Sequence, residues 1–367
     1  MAADAQFEQA RDFFVQGVQH YEAGRFVEAD RSFAASLALV PKRPSTLVNL
    51  GVVRLKLGRL EEALALVEES LALDPGNAET VGWRAIVLAE LGRRPEALAA
   101  FDRMLELKPG AGNMWMQRGT LLVEMGRLEE AARSYEAALA HGGDPHLNRY
   151  YLAALAGGEA PSHAPRDYVE GLFDKYAEDF DVNLVQQLKY QAPTVLAQRL
   201  AKMQRRFPSV LDLGCGTGLC GRIAKSIMPR LEGVDISTRM LEKAAESGVY
   251  DKLVHADILD YLRAAEGPYD LVISADVFIY VGALDEVFVH VARCLAPGGM
   301  FCFSVEDAGE AGGLVLRRSR RYAHSEGYIR ELAQRNALAV LDIDRQPIRE
   351  DSGTPIAGLY FWLARSA

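Results

Sequence analysis

The sequence predicts two folds in tandem: an all-α solenoid of repeated helical hairpins, followed by an α/β domain with a doubly wound, mostly parallel sheet. Three observations predict this. The dipeptide Gly-Arg recurs at 24, 58, 92 and 126, always 34 residues apart. An apolar run from Ser209 breaks on glycines at 214, 216 and 218, the pattern of a buried strand that stops at a turn. Beyond it, apolar runs alternate with helical stretches, as in α/β sheets. A chain of 367 residues has room for both units.

Composition narrows the functions. The chain is 49% hydrophobic and 25% charged, with a formal net charge of −9. These are ordinary globular proportions, and the acidity argues against a general affinity for nucleic acid or an anionic membrane. The four cysteines, at 215, 220, 294 and 302, show no metal-ligand spacing. They read as small apolar residues of a reducing compartment, and no metal is expected. The N-terminus carries acids where a signal peptide needs bases, and no stretch has the roughly 18 apolar residues of a membrane span. The expectation is a cytoplasmic protein.

The first third repeats over about 10–43, 44–77, 78–111 and 112–145. The 34-residue interval that separates the Gly-Arg pairs also separates Ala29, Ala63, Ala97 and Ala131, and likewise Pro41, Pro75 and Pro109. Phe33, Val67, Phe101 and Tyr135 follow the alanines by four residues, and Gly143 stands where a fourth proline is due. This lattice resembles the tetratricopeptide repeat. The resemblance implies that the glycine turns the chain between two antiparallel helices, the alanine lets them cross closely, and the proline ends the second. Asp144-Pro145 then opens one more helix, ended by Gly157-Gly158 and read as the cap of the stack. The repeat domain is expected over 1–158. The same resemblance implies a concave face with Phe14, Val18, Val48, Val52, Ile86 and Met116, suited to an apolar helix or strand of a partner protein. The chain's own residues or a second copy, giving a homodimer, are the alternative occupants.

Glycines and prolines from Gly157 to Pro165 mark a linker, and residues 159–205 are assigned to linker and lid. In DYVEGLFDKYAEDFD, Phe173, Tyr176 and Phe180 share one helical face.

The stretch SVLDLGCGTGLCG, Ser209 to Gly221, organises the rest of the chain. Glycine permits φ > 0 and lets a ligand lie against the backbone, while the helix that follows offers free N–H groups. Gly216, Gly218 and Gly221 also fit GxGxxG, a weak dinucleotide signal by itself. Asp212 decides against it: a carboxylate beside the turn repels a pyrophosphate but suits a cofactor with an ammonium and a sulfonium. The D-x-G-x-G-x-G form resembles motif I of class I S-adenosylmethionine-dependent methyltransferases. The resemblance implies a Rossmann-like domain over 206–367, a seven-stranded sheet with an antiparallel last strand, and S-adenosyl-L-methionine as cofactor, released as S-adenosyl-L-homocysteine. Asp212, Gly214, Cys215, Gly216 and Gly218 would bind it, and the helix of Tyr176 and Phe180 would close over it.

The later elements agree in order. LEGVDIS ends a second strand at Asp235, placed to accept ribose hydroxyls, with Ile236 and Met240 covering the adenine. VHADILDYL puts Asp257 at the end of a third strand, where the resemblance implies a reader of the adenine amino group, with Ile258 beside it. YDLVISADVFIYVG supplies a fourth strand and the Ala275 loop. A helix, the Ala296-Pro297-Gly298-Gly299 turn, a fifth strand and a C-terminal hairpin complete the pattern. The architecture is similar to bacterial proteins described as predicted methyltransferases with tetratricopeptide repeats.

The planar-amine motif N/D-P-P-Y/F is absent, since Ala275-Asp276-Val277-Phe278 occupies its place. Oxygen, sulfur, carbon and aliphatic nitrogen acceptors remain. His324, lying between the fifth strand and the next helix, has the right unperturbed pKa for a base, or it packs beside a helix capped by Ser325. Asp276 and Tyr280 are further catalytic candidates. Arg317, Arg318, Arg320 and Arg321 anchor an anionic acceptor or form a solvated loop. The expected function is O-methylation of a small-molecule, carrier-bound or protein-bound acceptor. A non-catalytic repeat scaffold with a cofactor-binding module, and a protein methyltransferase, are the alternatives.

Overall fold

The computed structural model describes residues 2–157, 160–177, 180, 189–309, 312–351 and 353–366. Two compact units result, Met1–Leu152 and Ala153–Ala367. The division falls within a helix, slightly before the boundary expected at 158. Gly158, expected to end that helix, lies outside the described residues, as does Asp181 beyond Phe180.

The first unit is built of helical hairpins: α1 (Ala2–Glu22) with α2 (Phe26–Leu39), α3 (Pro44–Lys56) with α4 (Leu60–Leu73), α5 (Ala78–Glu90) with α6 (Arg94–Leu107), and α7 (Gly112–Glu124) with α8 (Leu128–Ala140). Gly24, Gly58, Gly92 and Gly126 turn each hairpin at φ between +72° and +73°, with nothing within 4 Å of an added Cβ. Glycine is needed there for its backbone angle, not for space. The helix crossings have the opposite requirement. Ala29, Ala63, Ala97 and Ala131 are fully buried, and a Cβ on Gly119 would lie 2.6 Å from the Tyr135 ring. α9 (Pro145–Ala156) begins at the expected cap, with the Leu147 N–H donating to Asp144 Oδ1 at 2.8 Å. Its Tyr151 ring lies 5.2 Å from that of Tyr135. Of the expected groove residues, Val52 is buried and the other five are half-buried. Phe14 spends part of its surface edge-on against Phe33.

Gly58→Ala is therefore expected to cost about 1–2 kcal/mol through the left-handed angle alone, and Gly58→Asn less, because asparagine tolerates that region. Urea unfolding followed by far-UV circular dichroism reads both; equal losses would contradict the account.

The second unit opens with α10 (Arg166–Tyr176) and α11 (Ala192–Lys202). Then come β1 (Ser209–Leu213), α12 (Leu219–Ala224), β2 (Arg230–Asp235), α13 (Thr238–Glu246), β3 (Lys252–His255), α14 (Ile258–Ala264), β4 (Tyr269–Ser274), α15 (Asp285–Cys294) and β5 (Leu295–Asp307). It closes with β6 (Leu314–Leu316), β7 (Tyr322–His324), α16 (Glu326–Arg335), β8 (Leu338–Asp351) and β9 (Thr354–Arg365). The parallel order β3-β2-β1-β4-β5 continues into antiparallel β9, which pairs with β8. These are the expected seven strands. Two short strands are additional: β6 and β7 form an antiparallel pair, and β7 joins only the last two residues of β5, Glu306 and Asp307. Leu211, Leu213, Val272 and Phe303 face a core closed by α14, α15 and α16. Val210, Leu271, Ile273 and Cys302 face the opposite core under α11 and α12. This two-sided burial explains the near-continuous apolar strands in the sequence.

The expected linker is tied down in part. The Ala164 N–H donates to Tyr280 O at 3.0 Å and the Ala283 N–H to Ser162 O at 2.8 Å. Tyr322 Oη donates to Pro161 O at 2.7 Å. All four cysteines are buried free thiols. Among the described residues no helix is long and apolar enough to cross a membrane, and no cluster of three or more His, Cys, Asp or Glu could hold a metal.

Candidate active site

Strands β1, β2 and β4 end at a common edge, and a cavity of about 970 Å³ opens there, within the second unit. The carboxyl edge of such a sheet is where ligands bind, because strand ends and helix N-termini converge on it. Its floor is the turn after β1. Gly214 sits at φ +67° and Gly216 at φ +53°. An added Cβ at Gly216 would meet nothing nearer than Phe180 at 4.0 Å, so the main chain faces open space.

Three of the acids lining this cavity stand at or just past the ends of β1, β2 and β3. Asp212, at the end of β1, accepts from Tyr250 Oη at 2.7 Å; burial pushes its carboxyl up to about 7, against the pull of that hydrogen bond. Asp235, at the tip of β2, accepts from the Gly216 N–H at 2.8 Å and the Ser237 N–H at 2.9 Å. Burial raises its carboxyl too, opposed by these backbone donors. Asp257 lies two residues past β3 and caps α14, accepting from the Leu259 N–H at 2.8 Å. Cys215, Ile236, Ile258 and Ala275 also line the cavity.

Above this floor α10 contributes Phe173 and Tyr176. Phe173 stands edge-on to Tyr280 at 5.4 Å, and Tyr176 is half exposed. Ser237 Oγ donates to Asp174 at 2.6 Å, which ties α10 to the start of α13.

Asp276 sits just beyond β4 at φ +58°, a left-handed angle for a residue with a side chain. Its N–H donates to Ser304 Oγ at 2.9 Å, and its Oδ2 pairs with Arg349. Its Oδ1 is buried with no hydrogen-bond partner among the described residues. Arg349, from β8, also pairs with Glu306. Burial opposes its charge, but the two carboxylates hold it protonated well above the usual range. Burial raises the Glu306 carboxyl, against the attraction of Arg349.

Three expected site residues stand elsewhere. His324 is fully buried on β7, its Nε2–H donating to Gly282 O at 2.7 Å, and does not line the cavity. Burial pushes its imidazole down to about 4, so the expectation of a base at the acceptor is corrected. Ser325 does cap the following helix. Met240 is buried in α13, away from the cavity. Gly218 faces the Tyr250 ring, 2.9 Å from its added Cβ. Of the arginine cluster, Arg320 and Arg321 line the cavity with Ser319, whereas Arg317 turns to Glu306 at 3.1 Å. Arg321 lies 3.6 Å from Asp351. The sequence reasoning passed over Arg349, Arg166, Tyr190 and His163, all cavity residues. Arg349 lies in the charged run Asp344-Arg345-Gln346-Pro347-Ile348-Arg349-Glu350-Asp351, where nothing set it apart from its solvated neighbours.

A glycine turn after the first strand, an acid at the tip of the second and a cavity over both form a candidate ligand site at the carboxyl edge of the sheet. Residues 210–299 match the methyltransferase domain family, and 14–78, 54–118 and 116–161 match tetratricopeptide repeat families. The chain therefore carries tetratricopeptide repeats followed by a methyltransferase domain. It is 29% identical over 141 residues to malonyl-[acyl-carrier protein] O-methyltransferase from Pseudescherichia vulneris, covering 38% of this chain and 54% of that protein. It is 30% identical over 132 residues to trans-aconitate 2-methyltransferase from Acidovorax ebreus (strain TPSY), covering 35% and 50%. The chain thus spans about half the length of the curated relatives it matches. Among solved structures, 1,6-didemethyltoxoflavin-N1-methyltransferase from Burkholderia thailandensis matches with a TM-score of 0.46 at 20% identity, over 58% of this chain and 95% of that one.

Proposed function

We propose that this chain methylates an oxygen of an acceptor held beside Asp276, using S-adenosylmethionine bound along the β1 turn. When bound, that cofactor supplies a methyl carbon activated by its sulfonium. The residues fit it: Asp235 offers carboxylate lone pairs at the ribose, the open main chain at Gly216 offers an approach, and Asp212 offers a negative charge to the ammonium. Ile236, Ile258 and Asp257 suit the adenine.

The observation that carries the acceptor half is Asp276 Oδ1, buried without a partner. A buried acceptor left unpaired costs about 1–3 kcal/mol, and such groups in native sites call for a functional explanation. A ligand hydroxyl answers this one: its O–H donates to Oδ1, which takes the proton as a lone pair of the hydroxyl oxygen accepts the methyl group. Arg349 fixes the carboxylate from behind. Positioning then supplies most of the rate. Arg320 and Arg321 suit an acceptor that is anionic elsewhere in its structure. The relative from Pseudescherichia vulneris, a malonyl-[acyl-carrier protein] O-methyltransferase, supports an oxygen acceptor and a carrier. The repeats then recruit the carrier or a partner protein; self-association is the competing role.

An acceptor screen with radiolabelled cofactor, spanning hydroxyl acids, phenols, amines and thiols, free and carrier-bound, tests the proposal. Asp276→Asn should lower kcat about 10²–10⁴-fold with S-adenosylhomocysteine affinity unchanged. A neutral amine or thiol as best acceptor, or full kcat in Asp276→Asn, overturns the oxygen assignment.

A further inference from the structure

Gly218, Gly221 and Gly233 come from three different places: the turn after β1, α12 and the middle of β2. A Cβ on each would strike the same ring, that of Tyr250, at 2.9, 3.0 and 2.8 Å. Three missing side chains therefore make one slot, and Tyr250 fills it. Its hydroxyl emerges at the far end and donates to Asp212 Oδ2 at 2.7 Å. The glycines at 218 and 221, which in sequence look like cofactor glycines, serve this tyrosine.

We propose that Tyr250 is a positioning residue of the cofactor site, holding the Asp212 carboxylate in the orientation that receives the ammonium group of S-adenosylmethionine. This rests on the cofactor reading above. The chemistry follows from the surroundings of Asp212. Burial favours the neutral acid, and Asp235 on β2 adds like-charge repulsion. Cys215 and Cys220, from the turn and α12, are thiols that burial pushes further up, so they stay neutral and give no compensation. Tyr250 itself is also pushed up by burial and keeps its proton to donate. Among the described residues, the Tyr250 hydrogen bond is what favours the Asp212 carboxylate over the acid.

The sign of the pH effect is fixed by this. The ionised carboxylate binds the ammonium, so affinity is full above the carboxyl's value of about 7 and falls as pH drops through it. Removing the donor raises that value, and the fall begins at higher pH. A hydrogen bond to a charged group corresponds to about one pH unit.

Calorimetry on the full chain tests the proposal, comparing Tyr250→Phe with wild type over pH 5.5–8.5. The phenylalanine ring still fills the slot, so packing is kept. S-adenosylhomocysteine, which has the ammonium, should bind about fivefold more weakly at pH 7 and recover by pH 8.5. 5′-Methylthioadenosine, which lacks the ammonium, should bind the variant and wild type alike at every pH. Equal weakening of both ligands, or an unshifted pH profile for S-adenosylhomocysteine, overturns the proposal and leaves Tyr250 a packing residue. If Tyr250→Phe does not fold, Asp212→Asn decides: a pH dependence of S-adenosylhomocysteine affinity around 7 that persists in it also overturns the proposal. Absence of S-adenosylhomocysteine binding to wild type is a different failure, because it removes the cofactor reading itself.

Discussion

Asp235→Ala is expected to abolish cofactor binding at micromolar concentrations and, with it, methyl transfer. The carboxylate does two jobs at the tip of β2. It holds the turn together by accepting from the Gly216 and Ser237 N–H groups, and its remaining lone pairs face the cavity. Alanine removes both, so the turn loses its brace as the ribose loses its partner. Two hydrogen bonds to a charged group contribute roughly 1.5–3 kcal/mol each, and their joint loss weakens binding by about two to four decades. Calorimetry with S-adenosylhomocysteine reads this directly. A dissociation constant within threefold of wild type would show that the cofactor does not lie along β2.

Arg349→Ala should strongly destabilise the α/β domain. The guanidinium is buried between Asp276 and Glu306, and its removal leaves the buried Asp276 without its cation and Glu306 with Arg317 alone. Breaking a buried pair in this way costs about 3–5 kcal/mol. The penalty has a pH signature. Glu306 is already pushed above its ordinary value by burial, with Arg349 opposing, so without the arginine it rises further. A carboxyl raised in the folded state stabilises while protonated and loses that contribution as pH rises. The variant should therefore be nearer wild type at pH 5 than at pH 8. Hydrogen exchange of peptides from β8 and β9 reads the loss locally, without averaging over the repeat unit. Unchanged protection at pH 8 would mean that Glu306 and Asp276 find other partners.

The repeats were legible because each residue type on the 34-residue lattice answers one local demand, a left-handed turn, a close crossing or a helix end. The glycine turn and the Asp235 strand end were legible for the same reason. What sequence hid was set by distant pairing. His324 looked like a base at a loop because nothing in RYAH announces a three-residue strand; pairing with the end of β5 buries it. Arg349 meets Asp276 only because β8 and β9 fold back beside β5. The Met240 side chain turns inward with the amphipathic face of α13, a rotation that the strand-end signal before it does not fix. Gly218 was read as a cofactor glycine because its slot partner, Tyr250, lies 32 residues downstream.

The β6–β7 hairpin grips the sheet through only two residues of β5, yet it carries Ser319, Arg320 and Arg321 into the cavity. Under the proposed function, a change at its tip alters the acceptor side of the cavity, while Tyr322 and His324, both fully buried on β7, stay part of the core. One constraint travels with any exchange. Arg317 shares Glu306 with Arg349, so a transplanted hairpin has to bring a cation to that position or leave a buried acid with half its counter-charge.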